Sequence, residues 1–291
     1  MNNLLASHQI YNQGESYGCL PRAAYDRLLA GFSRITSDSL TTLESEAAKD
    51  GVDAVRLSVI YGTWRLDHVI TGRGRVHSRM SSLLKNSSPA RVLETYGITG
   101  LAKGCRYPAL EVLRILAQRV LGQGPGNDFI AGRYFVPELA TYLAEAMTYD
   151  HNEIEDRENN LSFEREAAFV NWVRDLTCDD SVRVKTEDDL RRSGECAGGT
   201  PDILFDRPVL LPGLAEKVRW IEYKNYFGTD LRLFLRGNAR QCERYNEKWG
   251  PGAICYGYGF VCGLSVSGAA VCTMGRGKFF SEAGCGGAGS E

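Results

Sequence analysis

Three ionisable side chains sit where chemistry is possible: Asp202, directly after Pro201, and Glu222 and Lys224, one residue apart inside the apolar and aromatic run WIEYKNYFG. Between them lies Pro212-Gly213, and proline suits the first central position of a turn and glycine the second. Folding there brings position 202 opposite position 222. Strand alternation then puts Glu222 and Lys224 on one face and Tyr223 on the other. Two gathered carboxylates repel, and one takes up a proton unless a cation lies between them. Oxygen ligands with room for water and phosphate suit Mg²⁺ or Mn²⁺. The lysine can then orient or deprotonate a water and offset charge on a phosphate, the parts that phosphodiester hydrolysis needs. The same residues also have a plain reading, with Asp202 a turn acid and Glu222–Lys224 a solvated pair on an exposed face. Spacing alone divides these readings evenly.

Two features favour the chemical one. The helix FEREAAF offers Glu164 and Glu166, although acids on a helix usually face solvent. Gln241 and Tyr245, four apart after the lysine strand, share a helix face and can grip a phosphate or a carboxylate. The plain alternative is an amphipathic helix with a polar boundary pair. Around these residues the chain reads as two regions and a tail. Residues 1–155 form a helical, basic region. In it YPALEVLRILAQRVLG is an amphipathic helix opening near Pro108, and residues about 97–122 resemble a helix–turn–helix. GQGPGND reads as a turn-rich break, PELATYLAEAMTYD as a helix and DHNEIEDRENN as a charged connector. Residues 156–275 form a mixed α/β domain. It starts with a helix over FEREAAFVNWVRDL whose expected core face includes Phe163, Ala167, Val170 and Val173 or Arg174. DILFDRPVLL, VRWIEYKN and GAICYGYGFVCGL are strand candidates, with a helix over LRLFLRGNARQCERYNEKW. Residues 276–291 are a glycine-rich, disordered tail.

Composition narrows the possibilities. The net charge of −2 says little about partners, but its distribution is uneven. Arg56–Gly122 holds eleven Lys/Arg against three Asp/Glu, and Asp150–Glu195 holds fourteen acids against seven bases. That pattern implies a polyanion-binding region beside one able to hold metal. Nine scattered cysteines without a C-x-x-C argue for free thiols. Four ungrouped histidines argue against histidine zinc sites and Ser-His-Asp catalysis. No run reaches the roughly 18 apolar residues of a membrane span, and the start lacks a secretory pattern. Nucleus and/or cytoplasm is the expected location.

The order Glu166, Pro201-Asp202, Glu222-Tyr223-Lys224 and Gln241-x-x-x-Tyr245 resembles the PD-(D/E)XK nuclease superfamily in its version with a Q-x-x-x-Y helix. GTPDILFDRPV, WIEYKNYFG and WGPGAICYGYGF are similar to the TPD-motif nucleases, the codanin-interacting nuclease family. That resemblance implies a restriction-endonuclease-like mixed sheet flanked by helices, preceded by a helical, winged-helix-like region. It implies a Mg²⁺- or Mn²⁺-dependent phosphodiesterase acting on nucleic acid, DNA favoured. Asp202, Glu222 and the Tyr223 backbone carbonyl would hold metal, Lys224 would be the catalytic lysine, and Glu166 the helix acid, with Glu164 the lesser choice. Gln241 and Tyr245 would position substrate. Arg73, Arg75, Arg79, Lys103, Arg106 and Arg114 would track the phosphate backbone. A codanin-like protein partner is a further implication. The rival expectation is a non-catalytic nucleic-acid-binding or assembly scaffold of the same shape.

Overall fold

A computed structural model describes residues 17–32, 40–150, 153–177, 182–195 and 198–281. By internal packing they divide into two units. One holds residues 27–54 and 64–153, the other residues up to 26, 55–63 and from 154 onward. The N-terminal residues therefore do not form one block ending near 155. Strand β1 (Cys19–Leu20) pairs in parallel with β6 (Phe260–Val261), and Arg56 donates to the carbonyls of Gly18 and Tyr258, so both segments are built into the sheet unit.

The helical unit draws on α1 (Arg22–Phe32), α2 (Leu40–Lys49), the long α3 (Ala54–Leu83), α4 (Pro89–Tyr96), α5 (Ile98–Cys105), α6 (Ala109–Leu121), α7 (Gln123–Ile130) and α8 (Pro137–Asp150). Pro108 precedes α6 as expected, and the Asp150 carboxylate accepts from the N–H groups of Ala109 at 3.0 Å and Leu110 at 2.8 Å. That caps two of the donors a helix start leaves unpaired. Val112, Leu113, Ile115 and Leu116 fill the core with Val92, Leu101 and Phe129. Helices α5 and α6 are joined through Arg106, in the left-handed region at φ 49°. The expected break at GQGPGND is instead helix α7. Its Gly126 lies so close to α6 that a Cβ would stand 2.6 Å from the Gln118 nitrogen, so glycine here serves packing rather than a turn.

The sheet unit contains α9 (Glu153–Asn160), α10 (Ser162–Leu176), β2 (Val184–Thr186), α11 (Glu187–Arg192), β3 (Ile203–Val209), β4 (Val218–Lys224), α12 (Arg232–Trp249), β5 (Gly252–Tyr256), β6, β7 (Ala270–Met274) and β8 (Phe279–Ser281). Six strands form a mixed sheet in the order β2-β3-β4-β5-β7-β8, parallel only at β4–β5 and β5–β7. Ile221 and Tyr223 of β4 pack with Phe169 and Val173 of α10. On the opposite face Trp220 meets Tyr245 of α12 edge-on, with ring centroids 5.2 Å apart. The core face of α10 is the expected one only in part: Val173 is buried and Val170 packs against the core, but Ala168 and Phe169 are buried in place of Ala167, and Phe163 is 86% exposed. Within the charged segment DHNEIEDRENN, Glu153–Asn160 form helix α9. The buried Glu158 carboxylate there meets Arg157, Arg165 and the Tyr258 hydroxyl, which answers its charge.

Leu214 N–H donates to the Leu211 carbonyl at 3.1 Å across Pro212-Gly213, with Gly213 at φ 87°. This is the expected turn, and β3 and β4 run antiparallel from it. Phe279 N–H donates to the Pro212 carbonyl at 2.8 Å, so β8 is tied to the turn and pairs with β7. The tail expected from residue 276 thus contains a strand, because that backbone finds ladder partners. The rest of it, 282–291, lies outside the described residues.

Candidate active site

The β3–β4 register pairs Ile203 with Ile221. One residue further, Asp202 falls opposite Glu222, as folding about Pro212-Gly213 requires. On the other side of β3, Thr186 pairs with Ile203, and the same step puts Glu187 opposite Asp202. Glu187 opens α11, whose Thr186 capping box with Asp189 fixes where the helix starts. Glu166 arrives from α10. Glu166, Glu187 and Asp202 each bring a carboxylate oxygen within 4.8 Å of the others.

Lys224 and Glu222 share the expected face. Lys224 Nζ donates to Glu222 Oε1 at 2.8 Å and to Gln241 Oε1 at 2.9 Å. Gln241 Nε2 donates to Glu222 Oε1 at 2.7 Å and to the Tyr245 hydroxyl at 2.9 Å, and that hydroxyl donates to the Thr200 carbonyl at 2.6 Å. Gln241 and Tyr245 are thus engaged by the site's own groups. Asp202 Oδ2 accepts from the Tyr223 N–H at 2.6 Å, and the Tyr223 ring points to the other face and stacks on Phe169 at 4.7 Å. Glu164 is exposed.

The electrostatics follow from this crowding. Burial, then Glu222, push the Asp202 carboxyl well above its ordinary range against the pull of the Tyr223 N–H. Burial raises Glu222 as well, opposed by Lys224 and Gln241. Glu166 is raised by burial and then by Glu187 and Glu222. Burial is the largest influence on Lys224 and would lower it, but Glu222, Tyr226 and Asp202 together outweigh burial, and the ammonium is held more firmly than usual.

Glu222 Oε2 is buried and, among the described residues, meets no donor. A buried carboxylate oxygen with no donor is costly, and three further carboxylates stand nearby. An oxygen-only donor set with one unanswered oxygen fits a hard divalent cation. Glu187 was not singled out by sequence reasoning. Its signal is an acid at the first position of a short helix directly after a three-residue strand.

The residues expected on nucleic acid all lie in the helical unit. Arg73, Arg75 and Arg79 are exposed on α3, and Lys103 and Arg106 are exposed at the end of α5. Arg114 is half-buried and paired with Glu111 at 2.9 Å, so its charge is already answered.

Residues 137–274 match a family model described as a protein of unknown function with the TPD sequence motif. The uncharacterized protein L539 of Acanthamoeba polyphaga mimivirus is 27% identical over 203 residues, 69% of this chain and 68% of that protein. CDAN1-interacting nuclease 1 of Mus musculus is 34% identical over 91 residues, and the protein of that name from Homo sapiens 33%. Each of those two matches covers 31% of this chain and 30% of the nuclease. No solved structure matches the chain. Among the described residues, no helix is long and apolar enough to cross a membrane.

Proposed function

We propose, from the premise that this chain belongs to the TPD-motif, codanin-interacting-nuclease-like family, that it is a metal-dependent nuclease hydrolysing phosphodiester bonds of nucleic acid, DNA in preference. The observation that carries this reading is the gathering of Glu166, Glu187 and Asp202 next to Glu222, whose inner oxygen has no donor, beside one lysine.

Asp202, Glu166 and Glu187 would hold Mg²⁺ or Mn²⁺, with Glu222 Oε2 and the Tyr223 carbonyl as further ligands. Bound there, the cation supplies Lewis acidity toward water and phosphate. Lys224 has three N–H donors and spends two on Glu222 and Gln241, which leaves one for a phosphate oxygen. Its raised pKa suits a donor and charge screen better than a base. Gln241, itself held by Tyr245, keeps Lys224 and Glu222 Oε1 in fixed geometry and so orients the ammonium before substrate arrives. The reading carries with it a restriction-endonuclease-like core, α5–α6 used in a winged-helix or helix–turn–helix manner, and the exposed basic residues of α3 and α5 on the phosphate backbone. A codanin-like protein partner and a nuclear or cytoplasmic location belong to the same reading.

The test is cleavage of labelled single-stranded, duplex and flapped DNA and of RNA in Mg²⁺. Asp202→Ala and Lys224→Ala should each lower the rate by about 10²- to 10⁴-fold with the fold retained. Equal cleavage by wild type and the double variant would overturn the proposal and leave a scaffold that binds without cutting.

A further inference from the structure

The helical unit contains a cavity of its own. Helix α3 carries Trp64, His68, Arg75 and Arg79 at spacings that return to one face every three or four residues. Across from them stand Arg106 and Tyr107, where α5 ends. Together they line a cavity of about 320 Å³. Trp64 and His68 lie nearly parallel, with centroids 4.9 Å apart and planes at 16°, and Tyr107 is tilted against His68 at 5.9 Å. His68 is oriented by its Nε2–H donating to the Arg106 carbonyl at 2.9 Å. The Tyr107 hydroxyl donates to the Val69 carbonyl. Among the described residues, the guanidiniums of Arg75, Arg79 and Arg106 meet no carboxylate. Flat, fixed rings beside three unanswered cations suit a ligand with a π-face and a phosphate.

We propose that this cavity binds one nucleotide, its base against the Trp64–His68–Tyr107 rings and its phosphate on Arg75, Arg79 and Arg106. The volume lies at the low end of small-ligand sites, roughly 300–1,000 Å³, and so admits one such unit. Rings stack on any base, and arginines add charge and cation–π attraction. Arg73 and Lys103, two and three residues from Arg75 and Arg106, are exposed as well and add cations for the adjoining phosphates of a strand. The inference takes its ligand class from the nucleic-acid reading above but does not require cleavage.

The experiment measures anisotropy of a short labelled oligothymidylate with the full chain in EDTA. Competitors are dTMP, inorganic phosphate, a blunt duplex and a phosphotyrosine peptide. Trp64→Ala should weaken nucleotide binding about 5- to 150-fold, the span for stacking one base, and Trp64→Phe should retain most of it. Arg75→Gln and Arg79→Gln, at exposed positions that tolerate change, should each weaken it several-fold. A strand that binds far more tightly than dTMP assigns the site to unpaired nucleic acid, while equal affinity assigns it to a free nucleotide. Affinity unmoved by the arginine variants, a duplex bound as tightly as the strand, or displacement by the phosphotyrosine peptide in preference to dTMP overturns the proposal. A chain that binds in this way yet never cleaves refutes the nuclease reading and leaves the pocket standing. Cleavage with Trp64-independent binding does the reverse.

Discussion

Asp202 is held under strain by its surroundings, and the strain has a sign. Burial and Glu222 raise its carboxyl in the folded chain, so above about pH 4 the folded protein keeps a proton that the unfolded chain has released. Where the folded state binds more protons, stability falls as pH rises through the window between the ordinary and the raised value. Asn at 202 keeps an acceptor for the Tyr223 N–H and does not titrate. In EDTA, the Tm of Asp202→Asn minus that of wild type should therefore grow as pH climbs from about 4 toward neutrality, by about 2–4 °C for each kcal/mol of repulsion relieved. Mg²⁺ should reverse the order at neutral pH, because the amide gives up a ligand. A difference that stays flat with pH, or an asparagine variant that gains as much from Mg²⁺ as wild type, would remove Asp202 from the centre of this cluster.

At the scale of elements, the hairpin β3–turn–β4 does the positioning, and Gly213 is its weak point. A Cβ at Gly213 would need φ 87° and would fall 1.8 Å from the Phe279 carbonyl oxygen. Gly213→Ala should cost roughly 2–5 kcal/mol from backbone strain and overlap with β8, read as a lower urea midpoint, and should lower cleavage as Asp202 slips against Glu222. Pro212→Ala, which leaves the conformation allowed, should cost about 1 kcal/mol or less. This hairpin was legible in the sequence because its information is local: turn chemistry at 212–213 and a period of two through Trp220, Glu222 and Lys224. Helix α12 with Gln241 and Tyr245 was legible for the same reason. What stayed hidden depends on partners distant in sequence. Glu187 joins the site through the β2–β3 register, which nothing within VKTEDDLRR announces. Phe163 has a core-like side chain but sits on the solvent side of α10, since the face is chosen by the sheet beneath it. Gly126 and Glu158 look like a turn former and a loop charge until α6 and Tyr258 are placed against them.

For the molecule as a whole, a net charge of −2 cannot attract a polyanion, so any such attraction must come from charge segregation. The charges are divided between the two units: the carboxylates gather in the sheet unit, while the exposed Arg73, Arg75, Arg79, Lys103 and Arg106 belong to the helical one. Single-strand affinity should then fall with salt at a slope near −0.7 per phosphate neutralised. Replacing Arg75, Arg79 and Arg106 together by Gln removes three cations and should flatten the log–log slope by about 2, whereas Asp202→Ala should leave the slope in EDTA unchanged. The measurement is a salt titration of oligothymidylate binding for the three proteins. If the triple variant keeps the wild-type slope, the phosphate contacts lie elsewhere on the chain, and the basic face of α3 is ordinary solvated surface. If the slope flattens while cleavage chemistry at saturating substrate is unchanged, holding the strand and cutting it are assigned to different units of the fold.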